Sequence, residues 1–221
     1  MSKLTPELKE RLDKLGTTVI SDAMDALGFS NVCRGITPLF DNTRKIVGPA
    51  VTQRFIPTDY LPKEKHGGMA TIQNAEKGSV IVCEGTTAPE MNTCGGVTAT
   101  AAVLSGMAGW VSDGVVRDCD EIYALDFPVY CKGRTVLTAR GRYMEAAINE
   151  PINLAGACCR FGDIVVADRS GVVVIPQERI IEVIDKAEEI EEKEQLMIAK
   201  LKEGAKLGDV DKAVNYENML K

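Results

Sequence analysis

The stretch from Gly78 to Asp118 constrains this chain most, because it fixes a strand, a helix and a second strand in that order. Ser79-Val80-Ile81-Val82-Cys83 is a β-branched run bounded by Gly78 and Gly85 and reads as a short strand. Gly95-Gly96 directly precede Val97 to Ser105, a run of small helix-compatible residues, and Gly106 and Gly109 bracket its exit. Trp110-Val111 open the next strand, Asp113-Gly114 reads as a turn, and Arg117-Asp118 closes the unit. Such a βαβ unit makes its two strands parallel and its crossover right-handed. The Gly-Gly loop and the Arg-Asp pair then lie beyond the strands' carboxyl ends, where open α/β sheets bind ligands.

Three kinds of group therefore meet at one end of the sheet. Backbone N–H groups at the helix start, left unshielded by Gly95 and Gly96, suit a carboxylate or phosphate. Arg117 has the planar fork to clamp the same anion, and Asp118 is a hard oxygen ligand suited to Mg²⁺ or Mn²⁺. The plainer reading is that Gly-Gly is a turn and close-packing device and Arg-Asp a solvated pair; the convergence of the three favours a site.

Composition excludes several alternatives. A net charge of −6 argues against nucleic-acid binding, which needs clustered Lys and Arg. No apolar run reaches transmembrane length, and the N-terminal MSKLTPELKERLDKLG is charged and helical in pattern, so no membrane partner and a cytoplasmic location are expected. The 7 cysteines form no CxxC pair and sit mostly in apolar runs, which predicts reduced, buried thiols. Cys94 and Cys119 flank the proposed site, but a nucleophilic thiolate wants a base. The single histidine, His66, falls in the polar loop 60–68. One histidine rules out imidazole-built zinc sites within a chain, so any metal is held mainly by oxygen and proton transfer runs through other groups.

The rest of the chain reads as scaffold. Thr5 to Gly16 is a helix with Thr5 as N-cap, Pro6 in its first turn and Gly16 as terminator. Thr17 to Leu27 is a second, stopped by Gly28, with Val19, Ala23, Ala26 and Leu27 on one face. Ile46 to Phe55 looks like a strand interrupted by Gly48-Pro49, hence bent or at an edge. Met69 to Glu76 and Glu121 to Leu125 are short helices, Pro128 to Cys131 is a brief strand, and 136–149 has no clear period. Phe161 to Ala167 and Val172 to Ile175 form a hairpin around Asp168-Arg169-Ser170-Gly171, with Asp163 and Asp168 as turn residues. Gln177 to Gly204 is one long helix with Ile180, Ile181, Ile184, Ala187, Ile190, Met197 and Leu201 as its apolar stripe. Residues 205–221 read as a loose tail. With no repeat and no linker, 1–221 is expected to be one α/β domain.

Several of these blocks, taken in order, resemble a known family. They are SDAMDALG, VGPAVT at 47–52, the Gly-Gly loop, GWVSDGVVRD at 109–118, FPVY at 127–130 and GDIVVADRSGVVVIP at 162–176. Together they resemble the regulator of ribonuclease E activity A and the 4-hydroxy-4-methyl-2-oxoglutarate/4-carboxy-4-hydroxy-2-oxoadipate aldolases. The resemblance implies a β-β-α sandwich like the swivelling phosphohistidine domain, with a long C-terminal helix, assembled as homotrimers or hexamers with sites between subunits. It implies a divalent-metal-dependent lyase that splits a 2-oxo acid to pyruvate, by retro-aldol cleavage or oxaloacetate decarboxylation. The alternative is a non-catalytic, protein-binding regulator of the ribonuclease E inhibitor type. By the resemblance, the amides of Gly95, Gly96, Val97 and Thr98 hold the pyruvyl carboxylate, Arg117 binds substrate oxygens and Asp118 serves Mg²⁺ or Mn²⁺. It also implies an acidic residue from a neighbour's C-terminal helix, Glu194 or its competitors Glu191 and Glu192. One position departs: many aldolase members carry an acidic residue where this chain has Gly96.

Overall fold

The computed structural model describes residues 3–58, 69–85 and 90–214, with side chains to 211. The loop 60–68 and His66 lie outside the described residues. In chain order, the N-terminal half contains α1 (Pro6–Lys14), α2 (Thr17–Ala26), β1 (Val32–Cys33), β2 (Thr37–Pro38), β3 (Ile46–Pro57), α3 (Met69–Asn74), β4 (Val80–Glu84), β5 (Asn92–Cys94), α4 (Gly96–Leu104) and β6 (Gly109–Ser112). There follow β7 (Val115–Val116), α5 (Cys119–Ala124), β8 (Val129–Cys131), β9 (Gly133–Arg134), β10 (Tyr143–Ile148), β11 (Ile152–Leu154) and β12 (Ala157–Cys159). The chain continues through β13 (Ile164–Asp168), β14 (Gly171–Ile175), α6 (Ile180–Lys202) and α7 (Leu207–Val214). The result is a mixed α/β fold with a long C-terminal helix, and no helix among the described residues is long and apolar enough to cross a membrane.

Among the described residues, one mixed sheet runs β1-β14-β13-β3-β4-β6-β8-β2, with β10 added to the outer part of β3. Alternation along the strands sorts its two faces. Val80 and Val82 of β4 join Val111, Tyr130, Val165, Val172 and Val174 in an inner cluster drawn from both ends of the strand order, so the sheet curls over on itself. Ile81 and Cys83 face the other way, toward Ala99, Ala102 and Ile122 of α4 and α5. Val47, Ile164, Val166, Val173 and Ile175 lie under α1, α2 and α6. Two helical groups thus share the outer face, one over β4 and β6, the other over β13 and β14.

β3 is neither broken nor at an edge, contrary to the sequence expectation. It is a central strand, antiparallel to β13 and β10 and parallel to β4. Pro49 is tolerated because N–H groups alternate sides along a strand. The Ala50 N–H points to Asp163 O of the β13 side, so the missing Pro49 donor faces β4, whose ladder begins only at Ala50. Gly48 is needed for close approach, since a side chain there would run into the Gly78 carbonyl oxygen.

Other boundaries also moved. Thr5 caps α1 as expected, accepting from the Leu8 N–H at 3.2 Å, but Gly16 begins α2 rather than ending α1 in a left-handed turn. The stripe of α6 uses Val183, while Ile181 and Leu201 are exposed, because an uninterrupted 3.6-residue period carries those two positions off the buried face. Residues 207–214 are helical, not loose; α7 packs on α6 and buries Val210. Segment 136–149 holds β10, whose register shifts between Glu145 and Ala147, which is why its period was unreadable.

Asp168 is more than a turn residue. Besides the Ser170 N–H, its carboxylate accepts from both the Thr17 N–H (2.8 Å) and the Thr17 hydroxyl (2.7 Å), capping α2 from the hairpin. Burial alone would push this carboxyl up, but the Thr17 and Ser170 donors and the Lys45 charge outweigh it and hold the pKa below the usual value. A carboxyl depressed by folding contributes stability above its unfolded pKa of about 3.9, and that contribution is lost as pH falls through the lower folded value. Asp168→Asn is therefore expected to lower stability at pH 7 by about 1 kcal/mol, discounted for partial exposure. In urea melts against pH the deficit should shrink below about pH 4; a deficit of constant size would remove the charge-based account.

Candidate active site

The glycine loop and the Arg-Asp pair do meet, but not at the end of the large sheet. β4 and β6 are parallel neighbours as expected, yet the chain leaves both before reaching the site. β5, β7 and β9 form a separate, three-stranded parallel sheet, and Gly95 and Arg117 follow the carboxyl ends of β5 and β7. The hinge between the sheets is Asp113-Gly114, which is no simple turn. The Asp113 carboxylate is 1% exposed and accepts from the Gly85 N–H (2.5 Å) and the Ala155 N–H (3.3 Å). It ties the end of β4 to the β11–β12 hairpin and turns the chain out of β6. A side chain at Gly114 would sit 2.8 Å from the Thr93 methyl, so only glycine lets β7 lie beside β5.

From β7 the Arg117 N–H donates to the Cys94 carbonyl at 3.0 Å, and Asp118 then turns left-handed, with φ of 55°, into α5. That reversal aims the Asp118 side chain back at the glycine loop. Its Oδ2 accepts from the Gly96 N–H at 3.0 Å and lies 3.3 Å from Arg117 Nε. Asp118 thereby caps α4 from outside, since Gly95 at the N-cap has no side chain to do so. Arg117 Nε is buried and out of line for a hydrogen bond, so its contact with Asp118 is purely electrostatic. A Cβ at Gly95 would sit 2.7 Å from Asp118 Oδ2 and 3.4 Å from Arg117 Cγ and Nε. The close-packing and anion-loop readings of Gly95 therefore hold together: the missing side chain is what admits the Arg-Asp pair.

Of the four amides named from the sequence, that of Gly96 is occupied by Asp118 and that of Gly95 precedes the helix. Those of Val97 and Thr98 lie in the first turn of α4, where a helix has no internal acceptor to offer. They remain as donors for an anion, next to a half-exposed guanidinium. Gly96 itself is buried, and the side chains over it are those of Glu121 and Asp118. Glu121 was missed in the sequence; its position one helical turn after Asp118 was the available signal.

The remaining candidates separate cleanly. Cys94 is fully buried, which raises its thiol well above the usual value, and burial also raises the Cys119 thiol. Neither is primed as a thiolate nucleophile. Glu194 lies on α6, in the helical group over β13 and β14, whereas the site belongs to the group with α4 and α5. No cluster of three His, Cys, Asp or Glu side chains suited to a metal occurs among the described residues. Asp118 Oδ1, however, makes no hydrogen bond among them. One free carboxylate oxygen fits an ion such as Mg²⁺, which keeps most of its water and is held by one or two carboxylates plus substrate.

Comparison with known proteins identifies the family of the chain. The chain is 34% identical over 187 residues to a Halalkalibacterium halodurans protein named "Putative 4-hydroxy-4-methyl-2-oxoglutarate aldolase", covering 85% of each. It is 30% identical over 216 residues to protein DlpA of Legionella pneumophila, covering 98% of this chain but only 35% of that longer protein. The solved structure of Streptomyces coelicolor RraAS2, described as an unusual member of the RNase ES inhibitor RraA protein family, superposes with a TM-score of 0.78 at 27% identity, covering 87% of this chain and 96% of that one. Residues 17–174, which span both sheets and the Arg117–Asp118 pair, match the family described as RraA-like, Aldolase/RraA, and the chain belongs to that family.

Proposed function

We propose that this protein is a divalent-metal-dependent lyase that cleaves a carbon–carbon bond of a 2-oxo acid to release pyruvate. The observation that carries the reading is the joining of Arg117, Asp118 and the first turn of α4 through the Asp118–Gly96 hydrogen bond. The substrates it suits are of the 4-hydroxy-4-methyl-2-oxoglutarate type, and oxaloacetate, whose decarboxylation passes through the same enolate. The Val97 and Thr98 amides receive the C1 carboxylate at the positive end of α4. Arg117 orients the C1 and C2 oxygens and opposes the negative charge that grows on the C2 oxygen as the bond breaks. Asp118, through Oδ1, would hold Mg²⁺ or Mn²⁺, which supplies Lewis-acid stabilisation to the same oxygen. Glu194 of a neighbouring subunit would complete the ion's surroundings in a homotrimer or hexamer. Support for such an assembly is the exposure of Val97 (87%) and Leu104 (82%), two turns apart on α4 beside the site.

A second reading, a protein-binding regulator without turnover, draws on the likeness to the Streptomyces inhibitor-family structure and on the same exposed helix face. A lactate dehydrogenase-coupled assay with oxaloacetate and Mn²⁺ separates the two. Pyruvate release abolished by EDTA is expected, and its absence with both oxaloacetate and the hydroxy-oxoglutarate would leave the regulator.

Asp118→Ala should abolish metal-dependent turnover and weaken Mn²⁺ binding followed by electron paramagnetic resonance; unchanged Mn²⁺ binding would take the ion away from Asp118. Arg117→Ala should lower kcat/KM by about 10³-fold, the scale of losing a transition-state donor. A loss under about 10-fold would count against the clamp.

A further inference from the structure

The absent side chain at position 96 leaves a space that Glu121 fills. A Cβ built on Gly96 would lie 3.1 Å from Glu121 Cβ and 3.4 Å from its Cγ. Glu121 belongs to the first turn of α5, three residues after Asp118, so both side chains rise from one helix face toward the start of α4. The two carboxylates differ in what they are free to do. Asp118 Oδ2 is held by the Gly96 amide and Arg117, and Asp113 is buried under two amides. The Glu121 carboxylate is exposed and makes no hydrogen bond or ion pair among the described residues. A free carboxylate is thus borne by the side chain packed over Gly96, in the loop whose amides and arginine suit a 2-oxo acid, in a chain with one histidine and with the Cys94 and Cys119 thiols raised.

We propose, resting on the lyase reading above, that Glu121 accepts the proton of the substrate's C4 hydroxyl during retro-aldol cleavage. As that O–H proton passes to the carboxylate, the O–H electron pair becomes the second bond of a C4 carbonyl. The C3–C4 pair moves into C2–C3, leaving the enolate of pyruvate with its charge on the C2 oxygen beside Arg117. Protonated Glu121 then returns the proton to C3, which yields pyruvate and restores the carboxylate. Oxaloacetate makes a different demand. Its C3–C4 bond breaks as CO₂ departs, with no hydroxyl proton to remove, and the enolate can be protonated from water.

The two reactions therefore isolate Glu121. With the full chain and Mn²⁺, Glu121→Gln should lower kcat for retro-aldol cleavage of 4-hydroxy-4-methyl-2-oxoglutarate by about 10²-fold or more, the usual share of a positioned proton acceptor. KM for that substrate and kcat for oxaloacetate decarboxylation should stay within about threefold. Glu121→Asp, with the carboxylate retained, should recover part of the retro-aldol rate, and equal melting temperatures show that the variants fold. Equal loss of both reactions would make Glu121 structural, and loss of neither would remove it from the chemistry; either result overturns the proposal. Failure of the unmutated chain in both reactions is a separate result, which overturns the lyase reading and Glu121's role with it.

Discussion

The site depends on one carboxylate oxygen. Asp118 Oδ2 takes the Gly96 N–H at the start of α4 while Arg117 Nε lies 3.3 Å away, so helix, loop and pair are fixed by a single atom. The arrangement has a cost, because a residue other than glycine in the left-handed region loses roughly 1–2 kcal/mol. A carboxylate capping a helix start returns about 1 kcal/mol, with a further few tenths to 1 from the helix dipole. The two sides nearly balance. Aspartate suits the position because its short polar side chain tolerates that backbone and still brings a full negative charge. Alanine would keep the strain and lose the cap, whereas glycine would relieve the strain but leave α4 and Arg117 without a partner.

What holds that atom in place lies a layer deeper. The large sheet is a packed core whose strands carry few polar side chains, and the small sheet carries the glycine loop and the Arg-Asp pair. Asp113 is the joint between them, fully buried and satisfied by amides from two different segments. Such a group is expensive to bury and worse to leave unpaired, so it admits few alternative paths for the chain. Gly114 and Gly95 then permit two close approaches in succession, first of β7 to β5 and then of the Arg-Asp pair to the loop. Each glycine is required by a contact that a Cβ would occupy.

The elements that were legible in the sequence are those set by local pattern. The capped start of α1, the parallel β4–α4–β6 unit, the β13–β14 hairpin and the period of α6 all follow from residue spacing within a short window. The meeting of Arg117 and Asp118 with the Gly-Gly loop was legible too, but it occurs at the ends of β5 and β7, not at those of β4 and β6 where the strand–helix–strand order put it. What the sequence hid are contacts between distant segments. Nothing local says that Pro49 sits where a ladder has not yet begun, that Asp168 caps α2 across 151 residues, or that Asp113 is a buried joint. The small sheet was hidden for the same reason: β7 is two valines long and becomes a strand only because β5 and β9 lie beside it.

The proton chemistry available to the groups around the glycine loop is narrow. Burial raises Cys94, and Cys119 is shifted the same way with acidic neighbours adding to the effect, so thiolate forms are disfavoured where the loop is most enclosed. Oxygen groups are left, and among the carboxylates near the loop the structure divides the labour by geometry. Asp118 and Asp113 each have backbone amides held on their carboxylates. A group meant to pick up and release a proton needs the opposite: a free carboxylate, few fixed donors and a path to the reacting atoms. With Gly96 bare, the unengaged acidic side chain packed against the glycine loop comes from α5, not from the loop itself. That exchanges a group on the loop for one on a helix whose first turn is already pinned by Asp118, so the orientation of Glu121 and the cap on α4 depend on the same turn of chain.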